Sequence, residues 1–330
     1  MRVKPNGILN EYLRLKESGS PSDFPNVCLD AQHKLLLKAF RGVEGSWRTL
    51  AKKGDLADFK PHNRVWLGEA QDLLKRAPGG PYKSTPMSDY KYAIQLETFG
   101  RTFNLLRETV INDDLNAFQE APAKLGRAAA RTAAKIFTKI LETNAICYDG
   151  TALFTSGHAN QSSTALTADT AGISALQAAT LAIYNAKDPG TNEKMGLQAK
   201  YLLVPAELAE IATWLLSAQS LVGGLTGIPS SNPLQQPKLS PKLTLVVDPF
   251  LTQFTGRWYV LADPEQAPAV EMGFLDGKTE PDLLMKDPGV IRIGGGADQW
   301  GYEYDDIEYK VRYDVTGVAA MYQGIYKGGA

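Results

Sequence analysis

Cysteine and histidine are scarce in this sequence of 330 residues, and their positions argue against metal or redox chemistry. The two cysteines, Cys28 and Cys147, lie far apart without the spacing of a metal site, so we expect free thiols and no disulfide. The histidines, His33, His62 and His158, are equally scattered. The sequence therefore predicts no metal site and no cofactor.

Long apolar runs are absent as well. The chain has no stretch of about 18 or more apolar residues, and its first residues, MRVKPNGILNEYLRLKES, lack the apolar centre of a signal peptide. We therefore expect neither membrane insertion nor secretion, and no membrane partner. The protein is expected to be made and used in a cytoplasm.

No excess of one charge is present, since 35 basic and 36 acidic residues give a formal net charge of −1. This balance excludes the strong global field of a typical nucleic-acid-binding domain, so any contact with DNA has to be local. Apolar side chains, by contrast, make up 44% of the residues. They are enough to fill the core of one large domain or of two compact ones.

The most informative segment runs from residue 99 to residue 144, an extended stretch followed by an alanine-rich helix. Asp113 and Asp114 are residue types that accept hydrogen bonds from free amides at a helix start, so we predict that they cap this helix. Pro122 is tolerated only in a first turn or at a kink. The continuous helix is therefore predicted at about 123–142, a rod of about 30 Å.

This predicted helix is amphipathic. Its apolar face consists of Leu125, Ala129, Thr132, Ile136 and Ile140. Another face carries a basic stripe, which consists of Lys124, Arg127, Arg131, Lys135 and Lys139. Two interpretations of the stripe stay open. It is either solvated or paired with acidic neighbours such as Asp305, Asp306 and Glu308, or it contacts the DNA backbone without reading its sequence.

A second segment, at about residues 63–98, has the pattern of a long hairpin. The stretches RVWLGEAQDLLKR and DYKYAIQLETF flank the turn-rich tip APGGPYKSTP. In the second stretch Tyr90, Tyr92, Ile94 and Leu96 fall on alternate positions, as in a half-exposed strand. Because an isolated hairpin is at best marginally stable in water, we expect this one to lie on another surface.

The remaining segments mix helices and strands. Residues 1–62 combine polar turns with short helical patches and are interpreted as an extended amino-terminal arm. From about Cys147 to Phe254, short helices alternate with buried strands, which indicates a compact mixed domain. After Trp258 the chain is rich in strands, and the alternation over 307–314 indicates an antiparallel sheet with one wet face.

Four segments together resemble the major capsid proteins of tailed bacteriophages, specifically the Mu-like major head subunit family. They are FGRTFNLLRETVINDDLNAF with LGRAAAR at 99–131, LFTSGHAN at 153–160, LLVPAELAEIATWLL at 202–216 and DDIEYKVRYDVTGVAAMYQGIYK at 305–327. Their order and spacing also match, over most of the chain after about residue 60. The resemblance implies the α+β fold of the Hong Kong 97-type phage capsid proteins.

The resemblance also implies a division into domains. The expected parts are an amino-terminal arm (1–62), an extended β-hairpin loop (63–98), a peripheral domain with the spine helix (99–146 and 255–317) and an axial domain (147–254 and 318–330). The loop is expected to reach across the adjacent subunit. Its candidate contacts are Lys75, Arg76, Tyr82 and Lys83, and no covalent cross-link is predicted.

The function that the resemblance implies is structural and not enzymatic. The chain is expected to self-assemble into pentamers and hexamers of an icosahedral shell that encloses double-stranded phage DNA. The expected partners are further copies of the chain, a portal protein, a scaffolding protein, a decoration protein and the packaged DNA, which is contacted non-specifically. The expected location is the virion, after assembly in the cytoplasm of the bacterial host.

Two alternatives stay open. An encapsulin-type nanocompartment shell protein shares this fold but encloses cargo enzymes instead of a genome. A cysteine hydrolase would use Cys147 as nucleophile, His158 as base and Asp149 as orienting acid, since these residues lie within twelve positions of each other. His158 is more simply explained as a polar turn residue, so we predict no catalytic site.

Overall fold

The computed structural model describes residues 25–43, 45–76, 79–80, 82–85, 87–106, 120–217, 220–221, 230–231, 243–286, 290–291, 293, 297–298 and 304–329. Its α-helices are α1 (Pro25–Arg41), α2 (Trp47–Leu50), α3 (Ala121–Glu142), α4 (Thr170–Tyr184) and α5 (Ala209–Ser217). Its longer strands, in chain order, are β1 (Lys52–Leu56), β2 (His62–Leu67), β3 (Asp89–Ile94), β4 (Glu97–Leu106), β5 (Ala199–Pro205), β6 (Thr244–Asp248), β7 (Trp258–Ala262), β8 (Val270–Leu275), β9 (Asp282–Met285), β10 (Asp306–Ala319) and β11 (Ile325–Gly328).

Shorter elements complete this set. Two-residue strands pair Ser220–Leu221 with Ser230–Ser231 and Val290–Ile291 with Ala297–Asp298. Single turns of 3₁₀-helix lie at Ala206–Leu208 and Tyr322–Gly324. Among the helices in the described ranges, none is both long and apolar enough to span a bilayer.

The chain forms two compact units, each built from three separate segments. The first unit comprises residues 1–43, 98–130 and 280–313, and the second comprises residues 44–97, 131–279 and 314–330. The domain limits expected from the resemblance stay a prediction.

In the first unit, β10 is paired on both sides. Residues Asp282–Met285 of β9 run antiparallel to Tyr309–Arg312 of β10, and β4 also pairs with β10. Helix α1 belongs to this unit, and its Phe40 meets Tyr313 edge-on at 5.7 Å between ring centroids. The predicted alternation is confirmed over 310–313, where Val311 and Tyr313 are buried whereas Lys310 and Arg312 are exposed, but residues 307–309 are all half-buried.

Helix α3 confirms the predicted spine helix, with Pro122 in its first turn. Its most deeply buried large side chains are Phe137 and Leu141, whereas Thr132 and Ile136 of the predicted apolar face are only half-buried. The buried face of the helix is thus displaced from the predicted apolar face, because alanines at many positions of this helix let more than one face pack closely. The predicted cap residues Asp113 and Asp114 lie outside the described residues, and the residue directly before the helix is Glu120.

The second unit contains a mixed sheet in the order β11-β7-β5-β6, in which only β5 and β6 are parallel. Its core includes Leu202, Val204, Trp258 and Val260, all with 0% exposure. Strand β5 leads directly into the 3₁₀ turn and helix α5, in keeping with the short helices and buried strands predicted for 147–254. Helix α4 is capped by the carboxylate of Asp169, which accepts from two amides of its first turn.

The amino-terminal part of the second unit differs from an extended arm. Strand β1 pairs in parallel with β8, which in turn runs antiparallel to Val315–Ala319 of β10. Trp47 and Leu50 of the preceding helix α2 are buried, and Trp47 packs on Phe274 at 5.3 Å between ring centroids. These apolar side chains bring the segment into the core. The helix α1 likewise lies within the predicted arm, and residues 1–24 lie outside the described residues.

The hairpin is shorter than predicted. Six residues of β2 pair antiparallel with six of β3, from His62 with Ile94 to Leu67 with Asp89. Residues 68–76 carry no strand, because this stretch lacks the alternation that β3 shows. The alternation within β3 is confirmed, since Tyr90, Tyr92 and Ile94 are less exposed than the residues between them.

The close approach of α3 to α1 within the first unit yields a first test. A Cβ atom added to Gly126 would lie 2.3 Å from the Leu36 carbonyl oxygen and 3.1 Å from its carbon. Helix propensity alone favours Gly126→Ala by about 1 kcal/mol. We expect the opposite sign, a net loss of about 1–2 kcal/mol in the free energy of unfolding measured by chemical denaturation, because a clash with rigid backbone falls in the upper part of the overpacking cost of about 1–3 kcal/mol.

The neighbouring exposed substitution Arg127→Ala is the matched control, with an expected change within about 0.5 kcal/mol. An increase in stability on Gly126→Ala would contradict the close approach.

Candidate functional site

The loop between β2 and β3 exposes apolar side chains. Leu73 is 100% exposed, Leu74 67%, Tyr82 81% and Met87 53%. Apolar side chains that are exposed together on one segment mark a contact surface, whereas single ones scattered over a protein do not. This loop therefore has the character of an interaction element.

The four candidate loop contacts are all on the surface. Lys75 and Lys83 are exposed, and no ion pair joins either one to another described residue. Arg76 places its guanidinium 4.7 Å above the Tyr82 ring and donates to the Gly80 carbonyl oxygen. Stacking of this kind stabilises the local shape of the tip while leaving Tyr82 accessible.

The base of the hairpin is anchored by a buried carboxylate. Glu271, 2% exposed, accepts a hydrogen bond of 3.0 Å from Nε of Arg64 on β2 and another from the Tyr92 hydroxyl on β3. Burial, together with the Glu271 carboxylate, raises the pKa of Tyr92 far above its usual value. A buried charge costs little only when it is paired and hydrogen-bonded, so this contact fixes both strands of the hairpin.

A series of aromatic rings continues from the hairpin base. Trp66 meets Tyr148 at 4.8 Å, Tyr148 stacks on Tyr322 at 5.7 Å, and Tyr322 stacks on His158 at 3.7 Å between ring centroids. Tyr90 also contacts Tyr148, at 5.4 Å. The sequence pattern indicated that Tyr90 points inward but carried no signal for its partners.

The basic stripe of helix α3 is exposed at all five positions. Lys124 lies 3.9 Å from Glu120, and none of the other four side chains forms an ion pair with a residue in the described ranges. Of the acidic neighbours considered as partners of the stripe, Glu308 pairs with Lys286 at 2.9 Å instead. Within the described residues, four of the five positive charges of the stripe are therefore not compensated by an ion pair.

Cys147, Asp149 and His158 converge in the loops that follow helix α3. The Cys147 thiol donates to Oδ1 of Asp149 at 2.9 Å, and Nε2 of His158 lies 2.7 Å from Oδ2 of the same carboxylate. The Thr151 hydroxyl also contacts both carboxylate oxygens. One potential ligand atom from each of the three residues lies within 4.8 Å of the others.

The order of these contacts is not that of a hydrolase triad. A cysteine nucleophile needs the imidazole beside its sulfur, with the acid behind the imidazole, but here the carboxylate stands between the two. Burial, with the adjacent Asp149 carboxylate, raises the pKa of Cys147 to about 12. Burial opposes ionisation of Asp149, but hydrogen bonds from Cys147, Thr151 and His158 outweigh it and hold the pKa of Asp149 well below its usual range. The thiol is thus protonated, and the geometry does not favour the hydrolase alternative.

Most of this chain matches a known protein family. The family model described as "Phage capsid protein" matches residues 90–328. A search of curated protein sequences found no match.

Solved structures share the fold at low sequence identity. The capsid of cyanophage P-SCSP1u has 11% identity, with 87% of this chain and 88% of that chain covered and a TM-score of 0.57. A structure from Microbacterium phage Oxtober96 has 11% identity, coverage of 87% and 91%, and a TM-score of 0.54. The capsid of a native GTA particle has 9% identity, coverage of 86% and 90%, and a TM-score of 0.53.

These matches confirm the predicted α+β Hong Kong 97-type fold and the predicted structural role in a capsid shell. Because the family model spans well over half of the sequence, the chain belongs to the phage capsid protein family.

Proposed function

We propose that this capsid protein is the major head subunit that assembles into pentamers and hexamers and closes an icosahedral shell around double-stranded phage DNA. The observation that carries the proposal is the family match over residues 90–328. The mechanism is geometric: different patches of each subunit meet those of its neighbours, and such heterologous contacts close into rings. The protein acts through these contacts and not as an enzyme.

The exposed loop supports this mechanism. Its apolar side chains are exposed in the subunit, while its base is held by the Glu271 anchor. A fixed base with an exposed apolar tip suits docking on a second, similar subunit, where burial of each leucine contributes about 1.5–3 kcal/mol. In this proposal Leu73, Leu74 and Tyr82 contact the adjacent subunit, with Lys75, Arg76 and Lys83 around them.

Further parts of the proposal follow from the same role. The spine helix and the strands around β10 belong to the peripheral domain, and the sheet that contains β5 belongs to the axial domain. The portal, scaffolding and decoration proteins are the proposed partners, the host cytoplasm is the proposed place of assembly, and the virion is the final location. No observation favours a nanocompartment with cargo enzymes over a phage head.

The assembly proposal is tested by electron microscopy of the purified chain, alone and with its scaffolding protein. We expect icosahedral shells or free fivefold and sixfold rings. Uniform monomers or dimers under both conditions would contradict the proposal.

The loop contact is tested by the double substitution Leu73→Ser and Leu74→Ser. Since both side chains are exposed in the subunit, we expect the free energy of unfolding of the unassembled chain to change by less than about 0.5 kcal/mol. Assembly should require a higher subunit concentration, measured by light scattering and counted as particles in micrographs.

Gln71→Ser with Asp72→Ser is the matched control for this experiment, because it alters the same loop without removing apolar surface. Equal assembly of the leucine variant and this control would rule out the loop contact.

The basic stripe is proposed to face the packaged DNA and to neutralise its backbone without reading sequence. Five exposed basic side chains on one helix, four of them without an ion pair among the described residues, support this role. Binding of this kind releases counterions and weakens as salt increases.

Charge reversal of the stripe, Arg127→Glu with Arg131→Glu, tests the DNA contact. We expect weaker binding of double-stranded DNA, with a log–log salt slope reduced by about 2, since each neutralised phosphate contributes about 0.9. Lys52→Glu with Lys53→Glu, two exposed positions on β1, makes the same change in net charge and serves as the control. DNA retention and a salt slope that match those of the control would refute the proposal.

A further inference from the structure

In the loops after helix α3, both nitrogens of the His158 ring face oxygen atoms. Nδ1 lies 3.1 Å from the Leu153 carbonyl oxygen, and Nε2 lies 2.7 Å from Oδ2 of Asp149 and 3.0 Å from the Thr151 hydroxyl oxygen. When the hydrogen of the neutral ring lies on Nδ1 and is donated to Leu153, the Nε2 lone pair is directed toward Asp149, where a metal ion can accept it.

The Asp149 carboxylate is also approached by the sulfur of Cys147 at 2.9 Å. The site therefore offers one sulfur, one nitrogen and one oxygen donor at mutual distances within 4.8 Å. This mixed set is the ligand combination that Zn²⁺ and related divalent transition metals select, whereas Mg²⁺ and Ca²⁺ select oxygen donors.

The backbone holds these donors in place without a metal. The Cys147 amide donates to the Thr151 carbonyl at 2.8 Å and the Gly150 amide donates to the Cys147 carbonyl at 3.0 Å, so a tight turn presents Cys147 and Asp149 on the same side. Gly150 has a φ of 78°, in the left-handed region that this turn requires and that glycine adopts at little cost.

The histidine is oriented from behind in the manner of a metal ligand. Metal-binding histidines almost always donate their other ring hydrogen to a carbonyl or carboxylate, which fixes the tautomer. The Leu153 carbonyl has this role here, and it also accepts a hydrogen bond of 2.8 Å from the buried Asn160 amide. Tyr322, stacked on the ring at 3.7 Å, further restricts its rotation.

We propose that Cys147, Asp149 and His158 form a binding site for Zn²⁺ or a related divalent transition metal, with water in the remaining position. On binding, the thiol releases its proton to solvent, the thiolate sulfur and a carboxylate oxygen coordinate the ion, and Nε2 of His158 donates its lone pair. The sulfur and the ring are buried, and the Asp149 side chain, 28% exposed, leaves an entry path. This site does not depend on the proposed assembly or on contact with DNA, and it replaces the expectation that the chain has no metal site.

The test is a titration of the full-length chain with Co²⁺, in a Cys28→Ser background that leaves Cys147 as the single thiol. We expect a thiolate-to-cobalt charge-transfer absorption that saturates at one ion per subunit and is displaced by Zn²⁺. Cys147→Ala should abolish the absorption, and Asp149→Asn and His158→Asn should lower the affinity for Co²⁺ by about 10-fold or more. His62→Asn is the matched control, because that ring pairs with Asp58 at 2.7 Å outside the site.

Two results would overturn the proposal. The first is the absence of a charge-transfer band in the parent chain, in which all three donors are present. The second is a band of unchanged affinity in both Asp149→Asn and His158→Asn. Circular dichroism of each variant before titration shows which of them are folded, and the result with the parent chain holds even where a variant fails to fold.

Discussion

Close packing against helix α3 is the constraint on which the remaining structure depends. In the first unit the helix approaches α1 so closely at Gly126 that the Leu36 carbonyl leaves no room for a methyl group. In the second unit Gly317 of β10 lies where a Cβ atom would meet Ile136 and Ile140. Most of the alanines between these positions are buried, and Ala133 and Ala134 have 0% exposure. Small side chains thus let segments from distant parts of the sequence pack on one helix. A protein interior with native packing density transmits strain instead of absorbing it.

The base and the tip of the hairpin differ in the contacts that stabilise them. At its base, Glu271 is buried and paired, and removal of one partner from such a pair is expected to cost about 3–5 kcal/mol because the other charge stays buried. At its tip, the described residues of the loop expose apolar side chains, and Arg76 stacks on Tyr82. The subunit therefore holds the direction of the loop firmly while leaving its end to be completed by a contact. This arrangement suits a protein whose large interfaces form only on assembly.

The periodicity of apolar residues predicts much of the secondary structure of this fold but few of its contacts between distant segments. The spine helix, the half-exposed strand at Tyr90 and Tyr92 and the alternation along β10 all follow from the local pattern of apolar residues, because burial on one face imposes that pattern. The parallel pairing of β1 with β8 joins residues more than two hundred positions apart, and no local pattern encodes it. For the same reason, the sequence alone predicts an arm for the amino-terminal segment that contains β1. The candidate metal donors were near one another in sequence, but only the turn at Gly150 and the position of the Leu153 carbonyl show that they converge.

The aromatic series from the hairpin base has an optical consequence. The Trp66 indole lies within 6 Å of the rings of Tyr90, Tyr92 and Tyr148, and these tyrosines can transfer excitation to it. Its emission depends on the polarity around the ring and on the distance to these neighbours. Any movement of the hairpin base changes both quantities, so the chain carries an intrinsic fluorophore that reports on the position of this base.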